Sequence, residues 1–482
     1  MQEHVEKMYV KAVVELDSGK KKSVDIPIMD EENIGKKNVS LTKDVIEVQA
    51  NSEISELMKE MHRVAVKQMW EMSPDMIGML KMATNMSKTF GTTCKNLMNQ
   101  EALFEQLKAR KYDVGIAEPF SICGYGLFEA VGIPATIGAV STTQLDIVSW
   151  YIGEPLAPSY VPSMSGDDGA NMGFLGRAKN LLGTGIGFKF MGGSMGVEWE
   201  YIKDKVGSDI THFGDLISKS SFVFTNANPF LNYPRPLIHK TVEIGGITID
   251  AKNPEPLDKE WDKVLNERKH NVFISFGSVA RSKDMPELWK KSILSMCASL
   301  PDVTFIWKYE VKSDMADNIP NLHLSPGCLK MLCWLTNVSQ SSSRMIPLFA
   351  DQPRNAEMLS KQGGAIALHK TDLAKPEVLK KAVETILNDD SYAREATRLA
   401  NMLKNQPFTP RDLVVKHAEF VAKFGRLENL EPYGRHLSFI EYYFIDVLAL
   451  AAFTLAIVIS VVFLTTRWVI WMVCRSQKAK KE

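Results

Sequence analysis

The chain has 482 residues, enough for two domains of ordinary size, each with its own core. Lys and Arg together number 57, as do Asp and Glu, so the formal net charge is zero, which excludes a partner such as nucleic acid that demands a basic footprint. A hydrophobic content of 45% excludes a disordered chain, and six cysteines without a C-x-x-C pair predict neither a disulfide framework nor a zinc site.

In chain order, residues 1 to about 110 are Met-rich and charged, with helical spacing around Ile54 to Met61, and read only as a helical region. The first residues, MQEHVEKMYVKAVVELDSGKKKS, carry no apolar core of signal-peptide length. A short apolar strand, Tyr112 to Ala117, ends at Glu118-Pro119. A helix from Cys123 and a second strand from Ile133 follow, a βαβ spacing that implies a parallel sheet. Residues 151 to 215 show no clear period and read as a loop-rich insertion over a cleft. Ser221 to Asn226 and Val242 to Gly246 are further buried strands.

A polar, proline-bearing linker is expected over residues 250–270. A second βα series then starts with strand Asn271 to Phe276, a Gly277-Ser278 turn, a helix over Glu287 to Leu300 and strand Val303 to Lys308. Asn321 to Leu324 and Met345 to Phe349 read as strands, the latter running into Asp351-Gln352, with a helix from Arg354 to Lys361. Gly364 to Leu368 is a strand, and Lys375 to Leu387 and Ser391 to Asn405 are helices. The fold class is α/β: an N-terminal domain over 1–249, a C-terminal domain over 271–435, and a membrane anchor.

That anchor is Val447 to Thr466, 20 uncharged residues, long enough for a bilayer core of about 30 Å. Tyr442, Tyr443, Trp468 and Trp471 flank it, where amphipathic rings prefer the interface. Arg467, Arg475, Lys478, Lys480 and Lys481 place the tail, 467–482, in the cytosol by the positive-inside rule. A single-pass type I protein with its bulk in the lumen follows. Because a large N-terminal region crosses a membrane behind a leader, either a leader has been lost from this version of the chain or its start site is wrong. Lys478-Ala-Lys480-Lys481-Glu482 is similar to the K-x-K-x-x signal for retrieval to the endoplasmic reticulum, with plain flanking charge as the alternative.

Chemistry gathers at strand ends. Glycine at 277 lets backbone approach an anion ahead of a helix N-terminus, although a plain structural turn accounts for it as well. Asp351-Gln352 lies just past an apolar strand, where ligands of parallel sheets sit, and a carboxylate plus an amide suits paired sugar hydroxyls; a helix N-cap is the alternative.

These segments, Phe273 to Ser278, Met345-Ile-Pro-Leu-Phe-Ala-Asp351-Gln352-Pro-Arg-Asn355 and Ser391-Tyr392 before the apolar helix, together with Asp113-Val, Glu118, Cys123-Gly and Phe224-Thr-Asn226-Ala-Asn-Pro229, resemble the UDP-glycosyltransferases, closest to the animal UDP-glucuronosyltransferases of the endoplasmic reticulum. The resemblance covers the chain from about residue 110. It implies a GT-B fold of two Rossmann-like domains facing a cleft, with a UDP-sugar donor in the C-terminal domain and a small lipophilic acceptor in the N-terminal one. It further implies inverting transfer of glucuronic acid or glucose, no metal or other cofactor, and homo- or hetero-dimers with family members. On this match Asp351, Gln352 and Asn355 bind donor together with Gly277 and Ser278, and Glu118 stands where the family has the acid that orients a histidine base. The family's histidine belongs in the first βα turn; His4 and His62 are in no strand-to-helix context, so no general base is assigned. Arg354 and nearby basic groups offer a thin argument for a donor carboxylate.

The run between the two good segments departs from the family. Its W-x-P-Q segment, whose Trp stacks on uracil, and its H-G-G diphosphate turn are not there; Gly327 to Arg344 is a Cys/Ser-rich stretch without period. Back-translating Pro326 to Arg344 with each codon shifted by one base permits W-M-P-Q-N-A-L-L-A-D-Q-R-V-T-V-F-I-T, with H at the join to Met345. That is the family's uracil segment in order. The run is therefore read as a frame-shifted translation of a normal site, from an error in the inferred gene structure or a pseudogene-like lesion. Two competing functions follow: a catalytically dead membrane protein of the same fold, and a lipid-binding membrane module without a donor site.

Overall fold

The computed structural model describes residues 8–17, 20–29, 44–46, 48–70, 76–164, 166, 168–247, 259–277, 280–326 and 343–479. The chain divides into two compact units, Met1–Glu431 and Pro432–Glu482. The first opens with an antiparallel hairpin of β1 (Met8–Asp17) and β2 (Lys20–Met29), onto which β3 (Asp44–Val45) and β4 (Val48–Gln49) pair in parallel. This corrects the purely helical reading of the first 110 residues. Its sequence signal is there: two Val/Ile-rich runs separated by Ser18-Gly19 are a hairpin pattern. The helical part follows as α1 (Ser52–Trp70), α2 (Met76–Met98) and α3 (Glu101–Arg110).

The expected βαβ unit is present as β5 (Val114–Ala117), α4 (Cys123–Val131) and β6 (Ala135–Val140). Helix and strand approach so closely that a Cβ on Gly115 would stand 2.4 Å from the Phe128 ring, so only glycine fits there. A disulfide joins Cys94 on α2 to Cys123 at the start of α4, correcting the expectation that the cysteines form no disulfide; the pair is 29 residues apart on two helices, with no spacing motif to reveal it.

After α5 (Asp146–Ile152), the stretch read as a loop-rich insertion contains α6 (Phe174–Ile202), a helix of 29 residues. Seven glycines, each costing about 1 kcal/mol against Ala in a helix, and apolar residues on every face erased the 3.6-residue period. Packing overrides that cost: Met191, Met195 and Ile202 enter the core, and the buried Asn180 amide donates to Pro158 O and Val161 O and accepts from Ser163 N. Helix α7 (Phe213–Ser218), β7 (Phe222–Thr225) and β8 (Thr241–Glu243) complete a parallel sheet in the order β5-β6-β7-β8.

Helix α8 (Lys259–Leu265) lies in the stretch read as linker; its Val264 and Leu265 pack on Ile306. The second series is β9 (His270–Ile274), α9 (Glu287–Ala298), β10 (Val303–Lys308), β11 (Leu322–Ser325), β12 (Ser343–Met345), α10 (Gln352–Ser360), β13 (Ala365–Ala367), α11 (Pro376–Asn388) and α12 (Asp390–Lys404). The α/β expectation is met: in both series, parallel ladders are flanked by helices. Helix α13 (Pro410–Phe424) was also not foreseen. Its Ala418 and Val421 cover the face of the first sheet formed by Val114, Ile137 and Phe222, with His417 edge-on to Phe222 at 4.6 Å. The opposite exchange occurs at the other end: Met69 and Trp70 of α1 join the second core, with Trp70 against Phe276 and Trp289.

The second sheet is split. Strands β11-β10-β9 form one parallel ladder and β12-β13 another, and among the described residues no ladder joins them. In a doubly wound sheet of order 3-2-1-4-5, β9 is the central strand and pairs with β12. Here β10 is buried from Val303 to Trp307, whereas β9 is part-exposed along its whole length. The run read as frame-shifted lies between β11 and β12 and falls outside the described residues.

The second unit, by itself, holds the short α14 (Phe439–Tyr442), with a capping box between Ser438 and Glu441, and α15 (Ile445–Ala479). Residues Ile445–Met472 form one helix long and apolar enough to cross a membrane.

Candidate functional site

Two strand ends frame the candidate site. After β9, Gly277 has φ +87, a left-handed conformation that glycine adopts freely. Its carbonyl accepts a 2.6 Å hydrogen bond from Lys308 Nζ at the end of β10, and its N–H donates to Ser275 Oγ at 3.3 Å. Ser278 lies outside the described residues. Lys308 was not singled out by sequence, although a cation closing an apolar strand beside a glycine turn is the signal to look for. It also faces Glu310 at 3.7 Å, so the turn holds one cation and one acid beside a backbone suited to an anion.

After β12, the chain turns through Ala350 at φ +54 into Asp351 and α10. A left-handed alanine costs about 1 kcal/mol or more, and such strain concentrates at functional turns. Ala350→Gly is accordingly expected to raise stability by about 1 kcal/mol, read as an increase in Tm. The three residues expected here are brought together and preorganised. Asp351 Oδ2 accepts from Asn355 Nδ2 at 2.8 Å, and Gln352 Oε1 accepts from Leu348 N at 2.8 Å. Asn355 Oδ1 is buried without a partner.

Arg354 does not serve a donor carboxylate. Its guanidinium is buried against the first α/β half, donating to Asn232 Oδ1 at 2.8 Å and Pro162 O at 3.3 Å, and stacks over the Tyr233 ring at 5.0 Å. Burial is the chief cause lowering its pKa, opposed by nearby carboxylates of Asp146 and Asp351. Beside it lies a buried ionic group: Arg235 faces Glu154 at 3.6 Å and Asp146 at 3.9 Å, while Glu154 accepts from Ser149 Oγ at 2.7 Å. Nothing in the sequence pattern pairs Arg354 with Asn232, so long-range placement alone reveals this clasp.

Glu118 sits on the other sheet, at the carboxyl end of β5. Its Oε1 accepts from Ser141 N at 3.0 Å and from Ser141 Oγ, tying the ends of β5 and β6. The loop it begins is fixed from behind by Glu198 of α6, which accepts from Ser121 Oγ and Ile122 N, each at 2.7 Å. Of the two histidines weighed as bases, His4 lies outside the described residues and His62, on α1, contacts Arg281 Nη2 through Nε2 at 3.1 Å. Two open cavities, of about 320 and 280 Å3, lie elsewhere. One lies at Trp261 and His323; the other lies at Ile133 and Arg426, near the amino end of β6 and so away from the strand ends where ligands of parallel sheets bind.

The family model for UDP-glucoronosyl and UDP-glucosyl transferase matches residues 9–324 and 343–482. The interruption coincides with the run read as frame-shifted. Human UDP-glucuronosyltransferase 1A5 is 26% identical over 404 residues, 79% of this chain and 73% of its own. Mouse UDP-glucuronosyltransferase 1A7 is 25% identical over 449 residues, 87% of this chain and 81% of its own. Among solved structures, Os79 of O. sativa with UDP and deoxynivalenol-3-glucoside is 14% identical, TM-score 0.43, covering 70% of this chain and 84% of that one. CalG4, the calicheamicin glycosyltransferase, is 10% identical, TM-score 0.46, covering 79% of this chain and 87% of that one.

Proposed function

The chain belongs to the UDP-glucuronosyl and UDP-glucosyl transferase family, and on that premise we propose that its fold serves transfer of glucuronic acid, or failing that glucose, from a UDP-sugar to small lipophilic acceptors, with inversion. The observation that supports this reading is the position of Asp351-Gln352 past β12 and of Gly277 past β9, each at the carboxyl end of a parallel strand, where ligands of open α/β sheets sit. Asp351, held by Asn355, and the amide of Gln352 receive sugar hydroxyls. The Gly277 turn, with Lys308 beside it, receives the diphosphate, and stabilising UDP as the leaving group is the main catalytic demand. Glu118 orients the base that deprotonates the acceptor. The apolar helix and the K-x-K-x-x tail support a single-pass protein of the endoplasmic reticulum membrane with its bulk in the lumen.

A second reading is favoured by one specific observation: the family match breaks between 324 and 343, the run leading into β12, and among the described residues no ladder joins β12 to β9. In that reading this polypeptide is a catalytically silent, membrane-anchored member whose uracil and diphosphate elements are replaced by the frame-shifted run. One experiment separates the two. The full chain, expressed behind a cleavable leader in microsomes, is assayed with UDP-glucuronic acid and a phenolic acceptor, and for binding of the UDP-sugar alone. Turnover that falls about a hundredfold or more in Asp351→Ala establishes the first reading. No UDP-sugar binding by the chain establishes the second, and a transcript encoding W-M-P-Q in frame traces the run to an error in gene structure.

A further inference from the structure

We propose that Gln144 determines which acceptors bind, its buried side-chain amide receiving the hydroxyl group of the small apolar molecule to which the sugar passes. The inference rests on the glycosyl-transfer reading and adds to it a residue and a functional group. Gln144 lies in the loop that leaves the carboxyl end of β6, two residues ahead of Asp146 at the start of α5. Ligands of open parallel sheets bind beyond such strand ends. Gln144 is 7% exposed, and among the described residues no group answers its Nε2 or its Oε1. Buried amides are ordinarily paired, because an unmet donor or acceptor keeps the whole cost of its desolvation. Its neighbours on these strand ends are answered within the protein. Glu118 accepts from Ser141, and Thr225 Oγ1 donates to Thr142 O at 3.2 Å. Asn226 Nδ2 donates to Ser141 O at 3.0 Å, and Asn228 Nδ2 donates to Gln406 Oε1 at 3.1 Å.

Three more unmet buried atoms belong to residues linked to this loop or to α10. They are Arg235 Nε, whose guanidinium faces Asp146 at 3.9 Å, Tyr233 OH, whose ring lies under Arg354, and Asn355 Oδ1 on α10 itself. Unmet polar capacity thus gathers where the strand ends of the first half meet the helix that begins at Gln352, and a sugar held by Asp351 and Gln352 has to be handed across that junction. The chemistry of the amide selects the ligand group. A hydroxyl donates to Oε1 or accepts from Nε2 and so meets either end, whereas a carboxylate only accepts and an ammonium only donates. Asp146, two residues on, weighs further against a carboxylate. Leu145 and Ile147, on either side of Asp146, belong to the first core, which suits a ligand that is apolar apart from its hydroxyl. An analogue without that hydroxyl leaves the amide unmet and binds more weakly for that reason.

The test measures binding rather than turnover. The full chain in phosphatidylcholine nanodiscs is dialysed to equilibrium against radiolabelled 1-naphthol or naphthalene, with empty discs subtracting the partition into lipid. The parent is expected to bind naphthol about tenfold or more tightly than naphthalene. Gln144→Leu is expected to bring naphthol down to the affinity of naphthalene and to leave naphthalene unchanged. The Tm of ligand-free Gln144→Leu is expected at or above the parent's, since an apolar side chain of similar size replaces an unmet amide. A parent that binds both probes equally, or neither, overturns the proposal, since the amide then holds an ordered water only. A leucine variant that keeps the preference also overturns it, because another group then recognises the hydroxyl. So does a variant whose Tm falls by several degrees, because the amide then has a partner in the fold. UDP-sugar binding and turnover, which decide between the two readings of the function, are measured separately, so failure of either is distinguishable from failure of this assignment.

Discussion

Arg354→Ala is expected to lower stability by about 3 kcal/mol, with a Tm several degrees lower. The side chain is 3% exposed, and its guanidinium crosses from α10 into the first α/β half to reach Asn232 Oδ1 and Pro162 O. Truncation to alanine removes two charge-assisted hydrogen bonds and a stack on Tyr233, and leaves Pro162 O buried without that donor. Asp146 loses a nearby positive charge as well. Arg354→Met is the informative companion, because it keeps the apolar stem and loses only the charge. An alanine variant well below the methionine variant assigns the effect to packing, and equal losses assign it to the guanidinium. An alanine variant as stable as the parent would remove the clasp from the account. The consequence reaches the site, because the helix that Arg354 anchors begins at Asp351 and Gln352.

The second large effect is a pH dependence. Burial pushes the Glu198 carboxyl up to about 7 from a usual value of 4.5, against the lowering effect of hydrogen bonds from Ser121 and the backbone of Ile122 and Cys123. A carboxyl raised on folding contributes in the sense opposite to a salt-bridged one. Between pH 4.5 and about 7 the folded state holds a proton that the unfolded chain has released, so stability falls as pH rises. The cumulative loss across that window is roughly 3 kcal/mol, with little further change from this group above it. Glu198→Gln cannot titrate, so its Tm between those pH values is expected to be flatter than the parent's. Glutamine keeps an acceptor oxygen for Ile122 N, and its NH2 donates to the Ser121 hydroxyl, so the variant keeps the neutral hydrogen-bonded arrangement at every pH. A parent profile that is flat, or a variant profile equally steep, contradicts the assignment.

Legibility in the sequence tracked how local the determining contacts are. The unit β5-α4-β6 and the strand Val303–Lys308 were readable because short apolar strands bounded by glycine, proline and charge depend on near neighbours. The clustering of Asp351 with Asn355, and of Gln352 with Leu348, is local for the same reason: each of these bonds spans four residues. Helix α6 was not, since its glycines and its apolar outer face disguised the period that its buried side obeys. Arg354 was singled out for the wrong partner, because Asn232 lies 122 positions away and no pattern links them. The disulfide of Cys94 and Cys123, on two helices, was hidden likewise.

The exchange of helices between the two α/β halves bears on how relatives of this chain can be recombined. Ser52–Trp70 is carried by the N-terminal part of the sequence yet completes the core around Trp289, while Pro410–Phe424 is carried by the C-terminal part yet seals the sheet around Phe222. A chimera joined at a single point between the halves would place each borrowed helix on a foreign surface and mismatch both cores at once. A productive crossover has to move three segments together. On the ribosome the same wiring leaves the face of the first sheet around Phe222 without this cover until residue 424 has emerged.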